Sequence, residues 1–425
     1  MRNRKIILQK AIFGLLGLTL CAGASALELT IKDAEKVAVQ NDPLIVKFQA
    51  KSSAFMEESV AANTWPDPKL KIGAVNIPTS DIGLTSEGMT QILIGIQQAI
   101  PPSGLLEQKQ EQKQILAEMQ RANAMNRALH VLRNLRKSWM EVYYFDQALS
   151  LVQESEEVFT QLVKITQYQY RAGRGQQQDV VRAQLELSLL TDKELLLQQQ
   201  KEASIAELEK WTGASVRKHT LSPFFPDLPT LPDVEEIMAN IEFHPSIAVK
   251  KAGLGVARKN VAIVKETYKP MWMVDVSYGW RQDGTNDLGE TIPRSDLMSA
   301  MVSVDLPFFT EKRQDKRLNA KGQEVNAAND AIEAQRRELT RIFEGAYANW
   351  VRLGERMEYY KKTVLPQSAQ FAEASRKAYQ SHVSDFPELV RARLRQLDSN
   401  LQALRIRVER AKSHYDLQYI AGEQS

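Results

Sequence analysis

Between Leu105 and Ala172 the chain contains neither glycine nor proline. Such a run permits one unbroken helix of roughly 100 Å at 1.5 Å per residue, several times the usual length of a globular helix. Its apolar residues include Leu116, Met119, Met125, Leu129, Leu132, Leu135, Trp139, Val142, Phe145, Leu149 and Val152. Steps of three and four predict one buried stripe packed in coiled-coil fashion, with the intervening Gln, Lys, Arg and Glu in water. A second stretch, Thr310 to Gln380, is interrupted by Gly322, Gly345, Gly354 and Pro366. It is expected to bend or break more.

The two stretches belong to two related halves, each reading helix, strand, loop, strand, long helix, breaker, helix. Asn41-Asp42-Pro43, placed inside the first helix, has its counterpart in Phe243-His244-Pro245. Pro43 and Pro245 are 202 residues apart, as are Pro68 and Pro270. Val181-Arg182-Ala183 returns as Val390-Arg391-Ala392 at an offset of 209, and Tyr170 as Tyr379. A drifting offset is what small insertions in a duplicated unit produce, and a period near 200 is too long for a solenoid. The expected division is a first repeat over 27–221, a proline-rich linker over 222–232 and a second repeat over 233–425.

The first 26 residues read as an export signal. Arg2, Arg4, Lys5 and Lys10 precede an apolar run from Ala11 to Ala22, and Ala24-Ser25-Ala26 supplies small residues for cleavage after Ala26. Loss of the four basic residues turns the formal charge of +3 into −1, which argues against a basic nucleic-acid binder. The only cysteine, Cys21, lies in the removed segment, and Leu20 stands where a lipoprotein signal has a small residue. That argues against lipidation and removes disulfides, zinc thiolates and a cysteine nucleophile. After Ala26 no apolar run reaches the ~18 residues of a spanning helix.

Four short segments alternate with period two. Trp272, Val274, Val276, Tyr278 and Trp280 face one way, and Met271, Met273, Asp275, Ser277 and Gly279 the other. Leu70-Ile72-Ala74, Ile92-Ile94-Ile96 and Met298-Ala300-Val302-Val304 are the apolar faces of the other three. A half-buried soluble sheet would satisfy this pattern. Trp272 and Trp280, bracketing an apolar strand with Tyr278, instead suggest the interfacial aromatics of an outer-membrane barrel, as do the long polar connections Asn76–Gly88 and Arg281–Ser295. Four strands cannot close a barrel, which needs about eight. Open edges cannot face lipid, so several copies must share the wall, and three give an even number within the known range.

Other features then acquire a context. Met89-Thr90 and Gly95-Ile96-Gln97-Gln98-Ala99-Ile100-Pro101 lead into a Ser103-Gly104 turn and the long helix. Tyr170-Arg171-Ala172-Gly173-Arg174-Gly175 is followed by Asp179-Val180-Val181-Arg182-Ala183-Gln184, with a second copy from Tyr379 to Ala392. In these motifs, and in its duplication, nearly the whole chain after Ala26 resembles the TolC family of outer-membrane factors. The resemblance implies a mainly α protein with a small β part: a TolC-like homotrimer with a shared twelve-stranded outer-membrane β-barrel, a long periplasmic α-helical barrel and internal duplication. It implies a passive channel in the outer membrane of a Gram-negative bacterium, working with a periplasmic membrane-fusion adaptor and an inner-membrane pump, an RND type foremost.

On that resemblance the adaptor docks at hairpin tips formed by Tyr170, Gly173, Arg174 and Gly175 and by Tyr379, Val383, Ser384 and Asp385. The periplasmic aperture involves Glu388, Asp179 and Arg391. Glu388 matches the family's first acidic position, while Arg391 stands where a second acid is known, so a single acidic ring is expected. His382 replaces the usual tip glycine, and Pro387 departs from the pattern. Asp179 and Glu388 equally suit plain first-turn pairing with a helix dipole.

Ala74-Val75-Asn76-Ile77-Pro78 is similar to members that work with heavy-metal pumps, but the ligand chemistry is poor. The five histidines, His130, His219, His244, His382 and His414, have no ligand spacing. Met89, Met271, Met273, Met298 and Met301 near the strands read as lipid-facing or packing residues, and no metal or cofactor is expected. An enzyme is not indicated, since Gly253-Leu254-Gly255 lacks the third glycine of a nucleotide fingerprint and its context is helical. The alternative to a channel is a soluble periplasmic coiled-coil adaptor of the same machinery.

Overall fold

The computed structural model describes residues 28–422 except 214, 215, 217–219 and 287. The export segment 1–26, with Cys21, and His219 lie outside the described residues. In the first half the elements are β1 (Glu28–Leu29), α1 (Ile31–Asn41), α2 (Pro43–Ala62), β2 (Lys69–Val75), β3 (Gln91–Ile100), α3 (Leu105–Arg171), α4 (Gln177–Thr212) and β4 (Thr220–Leu221). The second half contributes α5 (Val234–Asn240), α6 (Pro245–Glu266), β5 (Met271–Trp280), β6 (Gly284–Thr285), β7 (Thr291–Ile292), β8 (Leu297–Asp305), α7 (Gln314–Tyr359), α8 (Leu365–Gln380) and α9 (Phe386–Ala421).

The rod α3 runs 67 residues without interruption. On the strand side it is flanked by α2 and α6, and α6 in turn packs on α7. On the tip side it is flanked by α4 and α9, and α9 packs on α8. α4 therefore stops near the level where α2 begins, and α9 near the level where α6 begins. Two shafts are each made of two helices set end to end, beside a third that is continuous.

Below this level the core is a heptad coiled coil. Ala183, Leu190 and Leu197 of α4 stand seven apart and pack with Val152, Phe159 and Leu162 of α3 and Val390 and Leu397 of α9. Around its middle, α3 departs from the expected single stripe. Val131, Leu135, Trp139 and Val142 are covered by α1 and the segment after α4, Leu129 by α5 to α7 and α9, and Met140 by α9. Helix α3 is buried on several faces there because short elements wrap it, whereas Met125 of the expected stripe is exposed.

Two further expectations are corrected. Asn41-Asp42-Pro43 is not inside a helix but separates α1 from α2, because the Asp42 side chain caps α2 by accepting from the Leu44 and Ile45 amides at 3.0 and 2.9 Å. The glycines do not break the second long helix: α7 runs through Gly322, Gly345 and Gly354. Its irregularity is a π turn at Tyr360–Val364 just before Pro366, where the proline ring and missing N–H forbid a regular i−4 bond. Segment 222–233 contains no helix or strand, but its Phe225 ring lies under the Arg407 guanidinium at 3.8 Å.

Candidate functional site: a two-faced sheet and two helical tips

The four long strands form one antiparallel sheet in the order β2-β3-β5-β8. Its register aligns Leu70, Ile96, Val276 and Ala300 in one row and Ile72, Ile94, Tyr278 and Met298 in the next. Directly paired residues share a face, so the four apolar faces merge into one surface. Its side chains are open to solvent in the single chain: Leu70 is 66% and Ile72 70% exposed. Trp272 pairs with Ile100 and Val304 at one end of β5, and Trp280 with Ile92 at the other. Eight residues at about 3.4 Å each put the two indoles roughly 27 Å apart, close to the ~25 Å apolar band of outer-membrane barrels.

The opposite face carries Lys69, Gln97, Asp275 and Met301, then Lys71, Gly95, Ser277 and Ser299. Lys71 reaches Asp275 in an ion pair that passes over Gly95. A Cβ at Gly95 would stand 2.8 Å from that of Ser277, so only glycine leaves the strands in contact there. Met298 lies on the apolar face, and Met271, Met273 and Met301 on the polar one. Among the described residues no group of His, Cys, Asp and Glu is arranged to hold a metal. β2 and β8 are the sheet edges, each with one side unpaired.

At the Trp280 end two long loops are fastened together. Arg294 Nη1 donates to the carbonyls of Thr85 and Glu87 at 3.2 and 3.1 Å, and Arg281 Nη1 to that of Gly88 at 2.9 Å. The small β6–β7 hairpin sits within the second loop. Sequence reasoning missed these arginines, whose partners are carbonyls without a side-chain signature.

The opposite end of the molecule consists of two hairpin tips. In the first, Gly173 takes φ 69°, and the Gly173 and Arg174 amides donate back to Tyr170 and Gln169 at 3.0 and 2.9 Å, closing α3. Gly175 is held tightly, since a Cβ there would meet that of Gln169 at 3.0 Å. In the second tip His382 occupies the same left-handed position with φ 57°, and Val383 donates to Ala378 at 2.9 Å. Tyr170 and Val383 are exposed and Ser384 half-buried. Tyr379 joins the tips: its hydroxyl donates to Gln169 at 2.6 Å and its ring stands edge-on to Phe386.

Asp179 and Glu388 are both third residues of their helices, the positions where a carboxylate meets the positive end of a helix dipole. Burial raises the Asp179 pKa, Arg182 opposes the rise, and the charge of Asp385 adds to it. Glu388 is ion-paired with Arg391 one turn on, a spacing readable in the sequence. The predicted residues thus divide into a strand group, Trp272, Tyr278 and Trp280, and a tip group at the far end. Gly253-Leu254-Gly255 lies within α6, where Gly255 lets the helix approach Ile115.

A lipid-scale apolar sheet face, carried on a rod too long for a globular core, defines an elongated, mainly α protein of TolC-like fold. By the match of the outer membrane efflux protein family model to residues 36–214 and again to 239–423, the chain belongs to that family, whose members are transport components rather than enzymes. No curated protein matches its sequence. Its fold is similar to that of CusC, with a TM-score of 0.78 and 12% identity over 94% of this chain and 93% of that one. It is also similar to VceC of Vibrio cholerae (0.75, 13%, over 92% and 96%) and to the Campylobacter jejuni channel CmeC (0.76, 12%, over 92% and 85%).

Proposed function

We propose that this protein is the outer-membrane exit duct of a tripartite efflux or type I secretion-like system. Three copies close one barrel from their four-stranded sheets, and their helices form a periplasmic tunnel. The observation that carries this reading is the sheet: one continuous apolar face and two unpaired edges that are stable in lipid only if other strands cover them. β2 and β8 run in opposite directions, so the β8 edge of one copy offers an antiparallel partner to the β2 edge of the next. The same ring order brings the exposed apolar stripe Val181, Leu185, Leu189 and Leu196 of α4 beside α8 of the neighbour. Recovery of an SDS-resistant trimer from outer membranes is expected; a monomer in the soluble periplasmic fraction would overturn the proposal.

The tips form the gate and the docking surface for a periplasmic adaptor, with energy supplied by an inner-membrane pump of the RND type. Glu388 lines the aperture, but its pairing with Arg391 mutes a cation preference. In planar bilayers Arg391→Ala should increase selectivity for cations and Glu388→Ala reduce it. Unchanged selectivity in both would remove this turn from the constriction. Acidic substitution of Gly173 and Arg174 should weaken adaptor cross-linking while trimers persist.

A further inference from the structure

His244 lies where α9 ends and α6 begins, and it is 1% exposed. Its Nε2 stands 3.0 Å from the Tyr419 carbonyl in the last turn of α9. A carbonyl only accepts, so Nε2 carries the proton and Nδ1 is bare. The bare Nδ1 accepts from the Ser246 amide at 3.2 Å, one of the amides a helix start leaves unpaired. One neutral imidazole therefore serves the carbonyl end of one helix and the amide end of the next. Tyr419 extends the joint: its ring lies 4.9 Å from those of both His244 and His130, and its hydroxyl pairs with His130 Nε2 at 3.1 Å.

We propose that His244 is an acid-released pin, joining α9 to α6 while neutral and freeing the first turn of α6 when protonated. A second proton would point an N–H donor at the Ser246 amide and set positive charge at the positive end of the α6 dipole. Ser246 Oγ, 2.8 Å from Nδ1, can accept the new proton, but the amide is then left without its acceptor. No carboxylate among the described residues hydrogen-bonds either imidazole to offset the charge. The charged groups around the joint are already engaged or cationic. Arg127 and Arg133 come from α3; Asp416 on α9 holds Arg133 and Lys137. Glu242 in the turn before His244 holds Lys251 and Arg336, Glu338 comes from α7, and Asp42 is held by Arg127.

The repeat supplies an internal control. Asp42 is the counterpart of His244 at the offset of 202 and caps α2 with a carboxylate fixed by Arg127. Acid in the window where imidazole titrates therefore acts on one corner and not on the other. The biological setting, a periplasmic shaft exposed to the pH of the medium, rests on the proposed function; the joint itself does not.

The test is hydrogen exchange of the purified full chain in detergent at pH 7.5 and 4.5, corrected for the intrinsic rate. Burial takes the His244 pKa from 6.5 to about 4, so local opening should rise about tenfold per pH unit below 6.5, on the order of 100-fold at pH 4.5. The rise should appear in peptides covering the start of α6 and be absent from those covering the start of α2. His244→Asn, which keeps a cap acceptor without titrating in this range, should abolish the rise, and His130→Gln should leave it. Flat protection in the wild type, an equal rise at both corners, or a rise that persists in His244→Asn would each overturn the proposal. The wild-type comparison of the two corners decides the matter even if the variants do not fold.

Discussion

At residue 42 the first half of the chain turns from one helix into the next through an aspartate before proline; 202 residues later the second half makes the same turn through a histidine. Both side chains are buried and both cap the helix that follows. Their solvation differs. Burial pushes the Asp42 carboxyl up, but hydrogen bonds from Arg127 and the Ile45 amide outweigh it and hold its pKa below the ordinary value. Among the described residues no opposite charge is bonded to His244, and burial keeps it neutral near pH 7. Duplication thus preserved the geometry of the corner while its chemistry diverged. The tips diverged similarly, with Gly173 in one and His382 in the other, and so did the long helices, one continuous and one carrying a π turn.

The largest effect expected from this contrast is at the first corner. Asp42→Ala leaves Arg127 beside a partly buried site without its partner and should lower the unfolding free energy by about 3 kcal/mol. His244→Ala should cost only about 1 kcal/mol at pH 7.5, because no charge is orphaned. Thermal unfolding in detergent at two pH values checks both magnitude and sign. The Asp42 contribution is present above the unfolded value of 3.8 and so should be equal at pH 7.5 and 5. The His244 contribution is full above 6.5 and falls by about 1.4 kcal/mol per pH unit below it, towards a folded value of about 4, so by pH 5 His244→Ala should be the more stable form. Equal costs with equal pH dependence would erase the distinction.

A smaller change is expected at the π turn. Pro366→Ala restores an amide donor and removes the ring clash, so the helix should gain about 2 kcal/mol. A loss of stability would show that packing, and not the proline, holds the π geometry. The smallest effects concern the tips. Gly173→Ala should cost about 1 kcal/mol at φ 69°. His382→Gly should gain somewhat less, because glycine also loosens the unfolded chain.

The rod and the strands were legible because each rests on a local rule. A run without glycine or proline set the limits of α3 to within a residue, and period-two alternation separated the apolar from the polar face of the sheet. The count of strands also exposed the problem of open edges. What escaped depended on neighbours. The residues of α3 do not reveal that α1, α5 and the segment after α4 surround its middle, so one stripe was expected where several faces are buried. Gly322, Gly345 and Gly354 look like breakers in the sequence, yet each costs a helix only about 1 kcal/mol, and α7 is held along its length by packing on α6 and α9. At the tips the Glu388–Arg391 pairing was implicit in a three-residue spacing. The role of His244 is hidden because its repeat counterpart is an acid and because it has no ligand spacing to the other histidines.

The end-to-end helices have a mechanical corollary. α3 is a solid strut, but the shafts beside it are articulated at mid-length, where α4 abuts α2 and α9 abuts α6. Torsion applied at the hairpin ends can be absorbed as relative rotation at these articulations. Strands beyond them, tied by a continuous hydrogen-bond ladder, are then spared, so the hairpin ends can turn while the sheet keeps its register.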